Sequence, residues 1–536
     1  STQAKTLFPY TTLFRSFITH TFGGGWATDF GPTFYGSPDQ GGQFKIPYLT
    51  SGKNLIYEFD GGPRKAPGTT VLNASSLGST TGVMGVFDYW KQGTSGSPSQ
   101  RRIVHAGTNI YQDAGSGTFS SLFSGMTSGA IPQYSTFKDL MITGNDSTAD
   151  VPKSWDGSTA QNLAGTPPRF SFSISHRGRQ WAAGNYSAPS RLYYSVADNP
   201  EDWAGAGSGS IDIDVGDGDM ITGLLSWKNE LVIFKGPNKL SIHRLSGSTP
   251  SDFVRSPWIT GISAAWQNSI FPMGDDFGFI SPRGTIHSLK ATSNYGDYTQ
   301  TYLSYPINTF CREELNHNKS RHWWAATDSL HGYSLISVTR SGQTSNDRVL
   351  MLDWRFMAQG EQWPRWSLWD FGSFASLAQA IDTNNRPRIF AGGYDGYVYK
   401  LDQTTRTHNN TSINYNWTTP FLSYGGEYYL KVINAISIGI APKNGNPVTV
   451  GWTRDDNAQQ TTSISQVSGA ALDSFVLDTD VLGGSSFVPR FTELEEGGEF
   501  RSVQYEVTEN ALGSDVEIHN LGASLTFGSY STENNL

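Results

Sequence analysis

The sequence predicts an all-β protein: a β-propeller of six or seven degenerate blades, followed by a β-sandwich and preceded by an extended N-terminal arm. Three observations predict it. Glycine is abundant at 59 residues, as are Trp, Tyr and Phe at 16, 24 and 30, while charged residues make up only 16%. That composition suits short strands joined by tight turns. A strand-and-turn phrase recurs at intervals near those of propeller repeats, about 40–50 residues. The C-terminal stretch then changes to clean period-two alternation, the pattern of sheets with one buried and one wet face.

At the start of the chain, Thr6–Ser16 reads TLFPYTTLFRS. It has no turn chemistry, no useful period and no capping signal. Back-translated in frame, it matches a short-read sequencing adapter. Residues 1–16 are therefore read as a translation artefact and set aside from fold reasoning. Residues 17–82 are rich in Gly and Pro, with one strand-like piece, Lys53–Asp60 (KNLIYEFD). This segment cannot build a core of its own and is expected to be an extended arm.

The propeller is expected over 83–410. Six copies of the recurring phrase are GTNIYQ (Gly107–Gln112), SRLYYS (Ser190–Ser195), NKLSIHRL (Asn238–Leu245), RGTIHSL (Arg283–Leu289), DRVLMLD (Asp347–Asp353) and DGYVYKLD (Asp395–Asp402). Their first apolar strand residues are Ile110, Leu192, Leu240, Ile286, Val349 and Val398, giving steps of 82, 48, 46, 63 and 49. The step of 82 divides if WDGSTAQNL (Trp155–Leu163) is a degenerate copy. The step of 63 implies a long insertion around TSNYGDYTQTYLSYPINTFCREELN. One four-stranded sheet cannot bury both of its faces, and radial stacking covers them. A jelly-roll-like sandwich is expected over 411–536. There Ile436, Ile438 and Ile440 share a face, as do Val448, Val450 and Trp452, then Val503, Tyr505 and Val507, then Leu521, Ala523, Leu525 and Phe527.

Totals exclude several function classes. A chain of 536 residues can bury large cores without staples. The single Cys311 cannot pair within the chain, so neither a disulfide scaffold nor a cysteine zinc knuckle is available. A net charge of −9 opposes tight nucleic-acid binding. No apolar run approaches the ~20 residues that span a bilayer.

Catalytic motifs are missing: no His-Glu-x-x-His, no phosphate-cradling glycine loop and no nucleophile elbow. Four candidates were weighed. Asp212, Asp214, Asp217 and Asp219 in IDIDVGDGD offer hard oxygen ligands for calcium. The favoured reading is a half-buried strand ending in an Asp-Gly hairpin, with Asp212 and Asp214 on one face. Trp363, Trp366 and Trp369 beside Glu361 and Asp370 resemble a sugar-binding and sugar-cutting surface, although tryptophans in blades usually fill inter-blade space. His322 in SRHWWAA is read as structural, and TELEEGGEF (Thr492–Phe500) as a solvated turn. No catalytic, cofactor-binding or metal-binding residue is assigned, and no cofactor is expected.

Three longer phrases carry a resemblance. The first is GSPDQGGQFKIPYLTSGKNLIYEFDGGPRKAPGTT (Gly36–Thr70), with its R-x-x-P-G turn. The second runs over Ser190–Gly247, with a Tyr-Tyr-Ser strand, a D-N-P-E-D-W turn, a G-D-x-I-T-G strand start and an L-V-I-F-K strand. The third is GGYDGYVYKLD (Gly392–Asp402). Together they resemble the tail nozzle, or tail tubular protein B, of short-tailed phages, over about Phe17–Asp402 with a weaker match beyond. The resemblance implies a virion protein assembled in the host cytoplasm. It implies a homo-hexameric ring below the portal and adaptor that closes the tail tube, retains packaged DNA without specific binding, and docks fibres or a needle. This chain is shorter than many nozzles, so extra tip domains are not implied. The family supplies no catalytic residues. A tail fibre or receptor-binding protein and a propeller-type glycan hydrolase are the alternatives.

Overall fold

A small four-stranded sheet with apolar side chains on both faces is stable only when both are covered. Over much of this chain, sheets cover one another in a closed circuit. The computed structural model describes residues 15–34, 43–78, 82–93, 98–295, 302–425, 429–441, 446–455, 457–466, 488–493 and 498–530. The chain divides into two compact units: Pro67–Thr411, and Ser1–Ala66 with Ser412–Leu536.

The unit 67–411 is a β-propeller, and six of its sheets are four-stranded and antiparallel. In chain order, the first sheet is Val83–Lys91, Ser99–Ala106, Asn109–Asp113 and Ser120–Phe123. The second is Pro132–Phe137, Leu140–Asn145, Lys153–Trp155 and Ala160–Asn162. The third is Phe172–His176, Arg179–Ala183, Arg191–Tyr194 and Gly209–Asp212. The fourth is Met220–Trp227, Glu230–Gly236, Ser241–Ser246 and Val254–Thr260. A three-stranded sheet takes fifth place, with Ile270–Met273, Asp276–Ile280 and Ile286–Ser288. The sixth is Trp324–Asp328, Tyr333–Val338, Arg348–Asp353 and Arg365–Trp369. The seventh is Phe374–Ile381, Pro387–Gly393 and Val398–Asp402, and its fourth strand is Gly68–Val71 from ahead of the first sheet. This strand closes the circuit, with Lys400 paired to Thr70 and Asp402 to Gly68.

The six recurring phrases all land on third strands: Asn109–Asp113, Arg191–Tyr194, Ser241–Ser246, Ile286–Ser288, Arg348–Asp353 and Val398–Asp402. The degenerate copy is out of phase. Trp155 ends the third strand of the second sheet, and Ala160–Asn162 is its fourth. The long step after Ile286 is where the fifth sheet lacks a fourth strand among the described residues. Short helical turns, including Leu289–Tyr295, Phe310–Glu314 and His317–His322, lie there instead.

First strands line the hub, each beside the first strand of a neighbouring sheet. Their inner edges carry backbone groups without a further strand to pair with. Small hydroxyl side chains satisfy some of them. Ser376 donates to the Val83 carbonyl at 2.7 Å and Ser337 to that of Phe374 at 2.7 Å; Thr222, on a first strand, donates to the Ala264 carbonyl of the link between the fourth and fifth sheets at 2.7 Å. Close approach also fixes glycines. A methyl group at Gly392 would stand 2.2 Å from the Val83 carbonyl oxygen, and one at Gly85 would stand 2.3 Å from the Pro132 ring. Between sheets, large side chains fill the wedge. Tyr89, Ile103, Met141 and Trp155 join the first to the second, and Val86, Val104, Phe390 and Val398 join the seventh to the first. At that closing seam Arg102 is buried over the Phe390 ring, 4.7 Å from its centroid, and 3.4 Å from Asp113.

The other unit contains two sheets. One runs in the order Gln43–Ile46, Arg15–Phe22, Glu517–Tyr530, Tyr429–Ala441 and Val488–Glu493. The second includes Thr33–Phe34, Phe421–Leu422, Val503–Glu509, Tyr415–Thr418 and Ser51–Lys53, with Val448–Arg454 and Gln460–Ile464 alongside. The alternating sets Ile436/Ile438/Ile440, Val448/Val450/Trp452 and Val503/Tyr505/Val507 are all buried. Leu521, Ala523 and Leu525 are buried too. Side chains of the two sheets meet: Phe22 packs edge-on to Trp417, and the Tyr424 hydroxyl lies 2.8 Å from His20 Nε2.

The free-standing arm expected over 17–82 is therefore divided. Residues through Lys65 lie in strands beside the C-terminal ones, and Gly68–Val71 completes the propeller. The reason is backbone satisfaction: an arm in water leaves its N–H and C=O groups unpaired with protein, whereas strand addition pairs them. The expected strand over 53–60 breaks at Asn54, which turns to a φ of +56° between Ser51–Lys53 and Leu55–Tyr57. Of the segment read as an artefact, residues 1–14 lie outside the described residues, while Arg15 and Ser16 begin the strand paired to Thr526 and Leu525.

Candidate functional site

In an antiparallel meander, the turn between second and third strands and the link to the next sheet emerge at the same end. Three such segments of the third and fourth sheets gather at one place: residues 184–190, 213–219 and 237–240. With Arg321 they surround a cavity of about 610 Å³, whose wall includes Pro189, Arg191, Val215, Met220 and Pro237.

The aspartates of IDIDVGDGD lie here, but in another role than ligation. Strand structure ends at Asp212, Asp214 has a φ of +43°, and residues 213–219 link two sheets. The Asp-Gly hairpin and the shared face for Asp212 and Asp214 are therefore corrected to an inter-sheet loop, because the turn to the next first strand begins one residue after Asp212. Each carboxylate is engaged. Asp212 makes a two-pronged contact with Arg191, at 2.6 and 3.0 Å. Asp214 contacts Arg255. Asp217 accepts from Lys235 Nζ at 2.7 Å. Asp219 accepts the backbone N–H groups of Asn238, Lys239 and Leu240 at 2.6, 2.9 and 3.0 Å. Lys235 is itself fully buried and also donates to the carbonyls of Ile213 and Asp214. The acidic loop is thus held by Arg191, Arg255 and Lys235 and by the backbone of 238–240. Among the described residues no cluster of His, Cys, Asp or Glu has the arrangement of a metal site.

The tryptophan surface is dispersed. Trp366 and Trp369 are fully buried in the fourth strand of the sixth sheet. The Trp366 indole donates to the Leu303 carbonyl at 3.0 Å. Trp363 stacks on Tyr305 at 4.9 Å, and Glu361 pairs with Arg365. The rings pack instead of forming one platform. His322 is half-buried; burial first, then Lys319 and Arg321, holds its pKa below the usual histidine range. Of TELEEGGEF, residues 494–497 lie outside the described residues.

The neighbour of His322 is what sequence reasoning missed. Arg321 donates to the Tyr186 hydroxyl at 3.0 Å and approaches the Met220 sulfur at 3.2 Å. Its guanidinium lies 4.8 Å from the centre of the Trp266 ring. No carboxylate is within ion-pair distance of it among the described residues. Asp146 feels its charge, yet that carboxylate accepts the Ile131 N–H at 2.7 Å and its pKa is pushed up by burial. The only sequence signal was an arginine in an aromatic phrase, "SRHWW", far along the chain from Tyr186 and Met220.

No family model and no curated protein matches the chain. Among solved structures it is similar to YCF48 bound to a D1 peptide, at 10% identity and a TM-score of 0.37, covering 61% of this chain and 94% of that one. BamB from Moraxella catarrhalis is similar at 13% identity and a TM-score of 0.37, covering 66% and 97%. BBS1N in complex with ARL6DN is similar at 9% identity and a TM-score of 0.39, covering 66% and 99%.

Proposed function

We propose that this chain is a non-enzymatic structural protein of a short phage tail, working as a homo-hexameric ring that closes the DNA channel below the portal and adaptor. The observation that carries the reading is the fate of the phrase Ser190–Gly247. It forms one continuous run from the third strand of the third sheet through the third strand of the fourth. Its turn residues have packing duties: Trp203 lies against Phe170, and Asp219 anchors the backbone of 238–240. Against the glycan-hydrolase alternative, Trp366 and Trp369 are buried in the core, Trp363 stacks on Tyr305, and Glu361 is paired with Arg365. A propeller offers broad faces to neighbouring copies, and a cyclic ring uses such unlike faces in turn. Docking of fibres or a needle, and passage of DNA through the ring, belong to the same proposal.

Mass measurement in solution and the symmetry of purified particles by electron microscopy test it. Closed six-fold rings are expected. A trimer would turn the assignment toward a fibre, and a protein that stays monomeric at high concentration would overturn it. Release of reducing ends from host glycans would favour the hydrolase.

A further inference from the structure

We propose that the cavity between the third and fourth propeller sheets binds a partner peptide through an acidic group set beside an apolar side chain, with Arg321 taking the carboxylate. The proposal does not depend on the virion reading. Four charged side chains line one cavity, Arg191, Asp212, Asp219 and Arg321, and they differ in how their polar atoms are used. The acids at its edge have their oxygens engaged: Asp212 pairs with Arg191, and Asp219, still charged, accepts three backbone N–H groups. Arg191 is neutralised by the same pairing. Among the described residues Arg321 has no ion-pair partner: it contacts the Tyr186 hydroxyl, the Met220 sulfur and the Trp266 ring, and Asp146 acts on it only at longer range. Arg321 therefore reaches the cavity with donors to spare, since a guanidinium carries five.

The walls supply the second half. Val215 is 70% exposed on a loop otherwise rich in Gly and Asp, and Pro189, Met220 and Pro237 line the same space. A volume of about 610 Å³ falls within the range of ligand sites, about 300–1,000 Å³. The position suits a peptide. The cavity is built from loops at one end of the sheets, and loops on a rigid scaffold can be tuned without disturbing packing. Arginine on an aromatic face is already oriented, so little side-chain freedom is lost when it accepts a carboxylate.

The test is selection of a displayed random heptapeptide library on the full chain, followed by affinity measurement of the enriched peptides. Peptides pairing Asp, Glu or a free C-terminus with Leu, Ile or Phe are expected. Their affinity should fall roughly tenfold or more with Arg321→Gln, the scale of a lost charged hydrogen bond. Arg321 also packs on Trp266, so Val215→Glu is the second variant. It changes an exposed side chain, leaves the fold intact, and should weaken binding similarly by repelling the acid. Enrichment without acids, or binding indifferent to both variants, overturns the proposal. Dependence on Val215→Glu alone overturns the carboxylate assignment. Binding of hexanoate with no peptide enriched overturns the peptide assignment in favour of a small apolar acid.

Discussion

Two histidines in the two-sheet unit have opposite electrostatic fates. His20 is buried, its Nδ1 donating to the Leu521 carbonyl at 2.9 Å, and burial lowers its pKa to about 4. His519 sits between Asp60 and Glu517, whose hydrogen bonds raise its pKa to about 9. The signs differ accordingly. Folding favours neutral His20, so that contribution is complete above the unfolded value of about 6.5 and is lost as pH falls through about 4. Folding favours charged His519, so that contribution is complete below about 6.5 and is lost as pH rises through about 9. Imidazole NMR titration should find His20 neutral down to about pH 4 and His519 charged up to about pH 9; ordinary midpoints for both would refute the assignment. Lys65 and Glu509 make a third test. They lie 2.7 Å apart and are both buried. Lys65→Met strands a buried carboxylate and should cost about 3–5 kcal/mol in denaturant unfolding, with much of it recovered on adding Glu509→Gln. A loss below 1 kcal/mol would mean that water reaches the pair.

At the scale of elements, the closing strand Gly68–Val71 stands apart in chain order, because the rest of its sheet comes from the other end of the unit. Asn73 secures it, accepting the Val398 N–H at 2.7 Å and donating to the carbonyls of Ser75 and Gly396. Asn73→Ala leaves buried partners unmet and should destabilise the propeller by about 1–3 kcal/mol, with faster hydrogen exchange in Gly68–Val71 and Val398–Asp402. Unchanged exchange there would show that the strand is held by other means. At the hub, Gly392→Ala should cost about 1–3 kcal/mol, since the added methyl meets the Val83 carbonyl of a neighbouring strand. Much of this level was legible in the sequence. The third strand of each sheet is flanked on both faces, so its apolar content recurs strongly enough to be counted, as in DRVLMLD and DGYVYKLD. First strands were not counted, because hub geometry asks for Gly, Ser and Thr there, residues that read as turns. The phase error at WDGSTAQNL has a related cause: Trp155, the conspicuous residue, ends one strand while the quoted phrase runs into the next. Arg321 was invisible for another reason. Its meaning depends on Tyr186, Met220 and Trp266, and nothing local to "SRHWW" announces them.

For the whole molecule, the order of units along the chain matters more than their composition. Period-two alternation revealed the C-terminal strands, but nothing local indicated that residues 15–65 would complete their sheets. Pairing partners hundreds of residues apart, such as His20 with Leu521, leave no periodic trace. The propeller supplies its own closing strand, so a fragment spanning 67–411 should unfold cooperatively by itself in urea, with near-native β circular dichroism. An aggregated or molten fragment would contradict the division into units. The Gly68 N–H meets the Thr405 carbonyl at 2.9 Å, and the Thr69 hydroxyl meets His408 at 2.7 Å. Entrance and exit of this long excursion are thus next-door neighbours, like the two legs of a staple. A host gene can acquire, lose or exchange such a guest with little more than a short bridge to mend.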